Sequence, residues 1–99
     1  MDVIFTPLAE RQIGKLYDYI AERSSEEQAE RYIGRIVSAC ESLATFPKRG
    51  TRRDDLLPGL RTIGFERRVT IAFVVTDDLV LIEGIFYGGQ DFEASFTSK

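Results

Sequence analysis

The stretch from Gly59 to Asp91, GLRTIGFERRVTIAFVVTDDLVLIEGIFYGGQD, limits what this chain can fold into more than any other part of it. It reads as three consecutive strands, at about Leu60–Phe65, Arg67–Thr76 and Leu79–Tyr87. The apolar content is too high for a sheet with one wet face. In the middle strand both alternating sets are largely apolar: Val69, Ile71, Phe73 and Val75 on one side, Ala72 and Val74 on the other. Successive side chains of a strand point to opposite faces, so this pattern predicts a central strand covered, at least partly, on both. Asp77-Asp78 forms a tight hairpin connection, because aspartate tolerates turn geometry. Gly88-Gly89 ends the last strand.

The residues before this stretch read as its cover. Asp2 to Phe5 is a brief apolar strand. Thr6 suits a helix N-cap and Pro7 the first helical position, where its missing N–H costs nothing. A first helix runs to about Arg23, with Ile13, Leu16, Tyr17 and Ile20 forming one buried stripe. Gly14 weakens that helix by up to about 1 kcal/mol relative to alanine, and its small size suits a close backbone approach. Ser24-Ser25 breaks the pattern, and Ser25 with Gln28 has the form of a capping box, so a second helix starts near Glu26. Its stripe is Ala29, Tyr32, Ile33, Ile36, Val37, Cys40, Leu43 and Ala44. Two amphipathic helices on so short a link fold back as an antiparallel hairpin. Phe46-Pro47 ends the second, since a residue before proline avoids helical geometry. Lys48 to Pro58 reads as a polar loop. The expected fold is α+β, in the order β-αα-βββ, with a helical hairpin packed on a small antiparallel sheet and residues 1–99 as a single domain.

Composition closes several functional classes. No apolar run approaches the roughly 20 residues that span a bilayer, and the N-terminus lacks the basic and apolar regions of a signal peptide. A cytoplasmic location is therefore expected. With one cysteine, no histidine and a net charge of −3, neither a zinc site nor a nucleic-acid-coating role is expected. Cys40, within the helical stripe, reads as a buried core thiol. No cofactor is expected. The basic residues are nonetheless uneven: Lys48, Arg49, Arg52 and Arg53 crowd one loop, and Arg61, Arg67 and Arg68 follow soon after. Each arginine is equally suited to solvent or to pairing with Asp54, Asp55 or Glu66. Tyr87 suits the role of a sheet-edge aromatic.

Phe46-Pro47 followed by Gly50, then Pro58-Gly59-Leu60-Arg61, and the ending Tyr87-Gly88-Gly89-Gln90-Asp91-Phe92-Glu93 together resemble the ParE/RelE superfamily of bacterial toxin–antitoxin toxins, and within it the ParE branch. The start, a strand leading to Thr6-Pro7 and Ala9, is similar too. The resemblance covers nearly the whole chain. It implies the toxin of a type II module, neutralised by a small ParD-like antitoxin whose flexible C-terminal segment wraps it. ParE-like toxins are associated with poisoning DNA gyrase, RelE-like ones with cutting mRNA on the ribosome.

Chemistry separates these two branches. Breaking an RNA backbone through its own 2′-hydroxyl requires a base, an acid and cations around the phosphate. This chain lacks histidine and holds only Lys15, Lys48 and Lys99 as lysines. After the last strand it offers Gln90 and Asp91 where a RelE-type enzyme would carry cations. Arg61 and Tyr87 are the residues an enzyme reading would use, but a phenol with an ordinary pKa of about 10 is a poor base. The expectation is therefore a binding inhibitor of gyrase without chemistry of its own. Its target-binding residues are Arg61, Arg67, Arg68, Tyr87, Gln90 and Asp91. Arginine's planar fork suits carboxylate and phosphate equally, so both remain open as targets. For the antitoxin, the helical hairpin offers Tyr17, Ile20 and Tyr32, and the exposed sheet edge offers strand addition. The toxin alone is expected to expose apolar surface and self-associate.

Overall fold

The computed structural model describes residues 1–88 and 92–96. Strand β1 (Asp2–Phe5) leads into helix α1 (Pro7–Arg23) and helix α2 (Glu26–Glu41), which ends in a 3-10 turn at Ser42–Ala44. Strands β2 (Thr51–Arg52), β3 (Leu60–Phe65), β4 (Val69–Val75) and β5 (Leu79–Tyr87) follow, then a second 3-10 turn at Phe92–Ser95. The expected caps form. Thr6 Oγ1 accepts the Ala9 N–H at 3.1 Å and Ser25 Oγ accepts that of Gln28 at 3.0 Å.

The five strands lie in the order β1-β5-β4-β3-β2. The β3-β4-β5 meander is antiparallel as expected, but β1 pairs with β5 in parallel, so the sheet is mixed. A strand separated from its neighbour by the whole helical hairpin has no tight turn to force an antiparallel return. The stretch read as a polar loop also contributes β2, which pairs with β3 through Thr51↔Thr62 and Arg52↔Arg61. Gly50 makes this approach possible. Its φ is +81°, and a Cβ there would lie 2.2 Å from the Thr62 carbonyl oxygen. Gly14, by contrast, has nothing within 4 Å of its Cβ position, so no close backbone approach exploits it.

The middle strand starts at Val69, two residues later than the expected Arg67. Glu66 and Arg67 both have positive φ, at 52° and 63°, and Arg68 N–H closes the turn on the Phe65 carbonyl at 3.1 Å. Two left-handed residues in a hairpin ordinarily call for Asn-Gly, so Glu-Arg gives no warning of the turn. The Arg35–Glu66 ion pair ties it to α2.

One core lies between the helices and the sheet. Ala9, Leu16, Ile36, Cys40 and Leu43 meet Val69, Ile71, Phe73, Val80, Ile82 and Ile85. Phe73 is fully buried, and truncating such a ring to alanine costs about 3–5 kcal/mol. A second cluster covers part of the opposite sheet face, where Leu60, Ala72 and Phe86 are buried under Leu56, Leu57, Phe92 and Phe96. Both faces of β4 are therefore covered, as its sequence demands. Arg53 fastens the second layer by donating to Asp55 at 2.8 Å and Glu93 at 3.0 Å.

The register of β5 slips at Glu83: Phe73 pairs with Ile82, but Ala72 pairs with Gly84. One extra residue reverses the alternation of faces. Val80, Ile82, Ile85 and Tyr87 consequently join the helix-side core, while Phe86 joins the opposite cluster. β1 ends opposite Ile82, and α1 takes over beyond it. Thr6 Oγ1 donates to the Glu83 carbonyl at 3.3 Å, and the Ile85 N–H donates to Gln12 Oε1 at 2.6 Å.

Candidate interaction site

Where β1 stops, the last part of β5 keeps β4 on one side and meets α1 on the other, and two depressions form there. The first, about 270 Å³, lies between the turn joining the two helices and the β3–β4 hairpin. Ile20, Ser24, Gln28, Tyr32, Glu66, Arg68 and Tyr87 line it. The second, about 390 Å³, is lined by Gln12, Lys15, Leu16, Tyr19, Ile85, Tyr87 and Gly88. Tyr87 borders both. Its ring stands 5.8 Å from that of Tyr19, which is 42% exposed and carries the Arg23 guanidinium 4.2 Å above its face. The result is a groove with an apolar and aromatic floor and Lys15, Arg23 and Arg68 around it.

The recess holds an unusual polar group. The Tyr32 hydroxyl oxygen is buried and has no hydrogen-bond partner among the described residues. Burial raises its pKa, the Tyr87 hydroxyl adds to this, and Arg68 and Arg35 oppose it. An unsatisfied buried hydroxyl costs about 1–3 kcal/mol. The ring itself is well seated, edge-on to Phe65 at 5.8 Å with the Arg35 guanidinium 5.8 Å from its centre. Arg35 pairs with Glu66, which neutralises the one carboxylate lining the recess among the described residues. Arg68 has no carboxylate within salt-bridge distance among the described residues.

The structure redistributes the residues singled out from the sequence. Ile20 and Tyr32, assigned to an antitoxin, share one recess with Arg68 and Tyr87, assigned to a target. Arg67 sits on the adjoining hairpin turn and is exposed. Tyr17 does not line the recess. It stands half-buried near Glu30, Glu26 and Asp18, and burial followed by those three charges raises its hydroxyl pKa. Arg61 lies elsewhere, facing Phe73 across β3–β4, whereas Tyr87 faces Val69. Four residues along β4 and two strand spacings separate the backbones of Arg61 and Tyr87 by on the order of 15 Å. Arg61 instead joins Lys48, Arg52 and Asp77 around a cleft of about 360 Å³, and its guanidinium donates to the Arg49 carbonyl at 3.5 Å. Gln90 and Asp91 lie outside the described residues.

Sequence reasoning missed Gln12, Lys15 and Tyr19, which line the groove, and Arg35 and Glu66, which frame the recess. The first three are spaced i, i+3, i+7 on α1, a face adjacent to the apolar stripe, and that spacing was the available signal. Among the described residues no helix is long and apolar enough to cross a membrane.

Comparison with known proteins bears on this architecture. Among solved structures the chain is similar to one described as the chromosomal ParDE toxin–antitoxin system from P. aeruginosa, with a TM-score of 0.77 and 25% sequence identity over 89% of this chain and 96% of that one. No curated protein sequence matches it. A family model described as the ParE toxin of the type II toxin–antitoxin system parDE matches residues 3–92. Two helices on a five-stranded mixed sheet, a groove along α1 and this match over nearly the whole length lead to one conclusion: the chain belongs to the ParE toxin family of type II toxin–antitoxin systems.

Proposed function

We propose that this ParE-family chain acts by binding DNA gyrase, without chemistry of its own, in the cytoplasm, and that a ParD-like antitoxin neutralises it by docking in the groove between α1 and the end of β5. The observation that supports a binding mode of action is the separation of Arg61 from Tyr87, which face different positions of β4. A phosphodiester-cleaving site needs its proton-handling groups within hydrogen-bond reach of one phosphate, and among the described residues these two line different depressions. The groove supports the antitoxin reading. It offers aromatic and aliphatic surface at Leu16, Tyr19, Ile20 and Tyr87 with cations beside it, the surface an amphipathic acidic segment seeks.

Expression of the chain without its antitoxin tests the mode of action. The expected result is inhibited supercoiling by purified gyrase, double-strand breaks and an SOS response, with messenger RNA intact. Cleaved transcripts over an unbroken chromosome would overturn the reading in favour of a ribosome-dependent ribonuclease using Arg61 and Tyr87.

A further inference from the structure

We infer that the recess beside Tyr32 is a socket for one carboxylate side chain of the partner segment, held by the Tyr32 hydroxyl and the Arg68 guanidinium. This rests on the antitoxin reading above and specifies the chemistry that the partner brings. Tyr32 carries a buried hydroxyl that no described group satisfies. Such a donor is costly to leave unpaired, and the cost disappears when an acceptor arrives. Arg68 borders the same recess, is exposed, and has no carboxylate partner among the described residues. Being exposed, it is free to swing aside and then close on an incoming anion.

Charge decides the class of ligand. Among the described residues Glu66 is the one acidic residue lining the recess, and Arg35 neutralises it, so Arg68 gives that lining a net positive charge. Ser24 and Gln28 add neutral polar groups at the rim. Size and surroundings decide the source. The recess is about 270 Å³, and Tyr87 also borders an apolar groove of about 390 Å³ that Lys15 lines. A free anion has no use for that groove. A peptide that places a Glu or Asp in the recess and apolar side chains along Leu16, Tyr19 and Ile85 fills both. From Lys15 to Ser24 the helix extends roughly 14 Å, which is the span of about ten residues of a bound helix.

The test uses the full chain and the protein encoded beside it. Binding of the wild-type chain is measured first, then that of Tyr32→Phe and Arg68→Glu. A hydrogen bond to a charged group corresponds to roughly ten- to hundredfold in affinity. Tyr32→Phe is expected to weaken binding about tenfold and Arg68→Glu about a hundredfold. The melting temperature of the free Tyr32→Phe chain should stay level or rise, since the lost hydroxyl has no partner among the described residues. Changing one acidic residue of the partner to lysine should restore binding to Arg68→Glu. If the wild-type chain binds and both variants bind within twofold of it, the socket is wrong while the antitoxin reading stands. If Tyr32→Phe lowers the melting temperature of the free chain, the hydroxyl is structural and the socket is likewise wrong. If the wild-type chain does not bind that partner, the antitoxin reading fails and the socket falls with it.

Discussion

The Ile85 backbone N–H donates to Gln12 Oε1 at 2.6 Å, joining residues 73 positions apart in sequence. It is the point where helix α1 stands in for the strand that β1 fails to continue. Ile85 is 2% exposed, so losing this acceptor leaves a buried donor unpaired. Gln12→Ala is expected to destabilise the fold by about 1–3 kcal/mol and to speed hydrogen exchange at the Ile85 amide selectively. Gln12→Glu keeps an acceptor oxygen and should retain most of the stability at neutral pH. Urea denaturation with amide exchange read by NMR checks both outcomes.

Glycine substitutions should divide by location. Gly14 and Gly34 sit in helix interiors with nothing within 4 Å of their Cβ positions. Alanine at either should stabilise by about 0.5–1 kcal/mol. Gly50→Ala combines a φ of +81° with a Cβ 2.2 Å from a backbone oxygen, and neither can relax without detaching β2. A loss of at least about 2 kcal/mol is expected. Gly84→Ala is intermediate, because its Cβ would meet the Phe86 ring at 2.4 Å and the ring can shift at the expense of its contacts with Phe92 and Phe96. Melting temperatures of the four variants test the ranking.

Two acid-base effects act in different pH windows. Asp54 is held below its ordinary 3.8, chiefly by the Gly59 N–H that it accepts at 2.8 Å. Asp55 is lowered chiefly by its hydrogen bonds from Arg53. Depressed carboxylates contribute stability above their unfolded pKa and lose it as pH falls through the folded value. The loop from Arg52 to Gly59 should therefore loosen below about pH 4, and Asp54→Ala should flatten that part of the profile. Glu83, at the β5 bulge, is raised above its ordinary 4.5 by burial. Its contribution has the opposite sign: it is present below 4.5 and lost as pH rises through the folded value. Glu83→Gln should stabilise the fold at pH 7, and the gain should vanish in acid. Denaturation midpoints measured across pH separate the two effects.

Cys40 is fully buried, and burial pushes its thiol pKa up to about 12. Because the thiolate is the reactive form, a thiol reagent should leave the native chain unmodified at pH 8 and label it only as it unfolds. The labelling rate should rise with urea in step with global unfolding. Rapid labelling in native buffer would contradict this burial.

Much of the fold was legible in the sequence because its signals are local. Thr6-Pro7 and Ser25 with Gln28 mark helix starts wherever they occur, and the doubly apolar β4 requires cover on both faces. What escaped depends on distant partners. The parallel pairing of β1 with β5 involves residues 77 positions apart, such as Asp2 and Leu79, and no local pattern encodes its direction. β2 exists because Gly50 lets the chain approach β3. The Glu66-Arg67 turn goes against residue preference, and its ion pair to Arg35 is invisible along the chain. The candidate site was legible residue by residue but not as a set: Ile20, Tyr32, Arg68 and Tyr87 come from two helices, a turn and a strand end. Arg61 seemed their companion because it is near Arg67 in sequence, yet six residues of extended chain carry it toward the other end of the sheet.

The slip at Glu83 also sets how relatives of this chain must be compared. A member of the same length without the slip would turn Ile85 and Tyr87 outward and Phe86 beneath the helices, whereas a member lacking that additional position keeps each layer but reaches it one step earlier in its sequence. Column-by-column matching that ignores the slip would therefore equate side chains from opposite layers of the molecule, and the tyrosine bordering both depressions would be aligned with a residue that never reaches them.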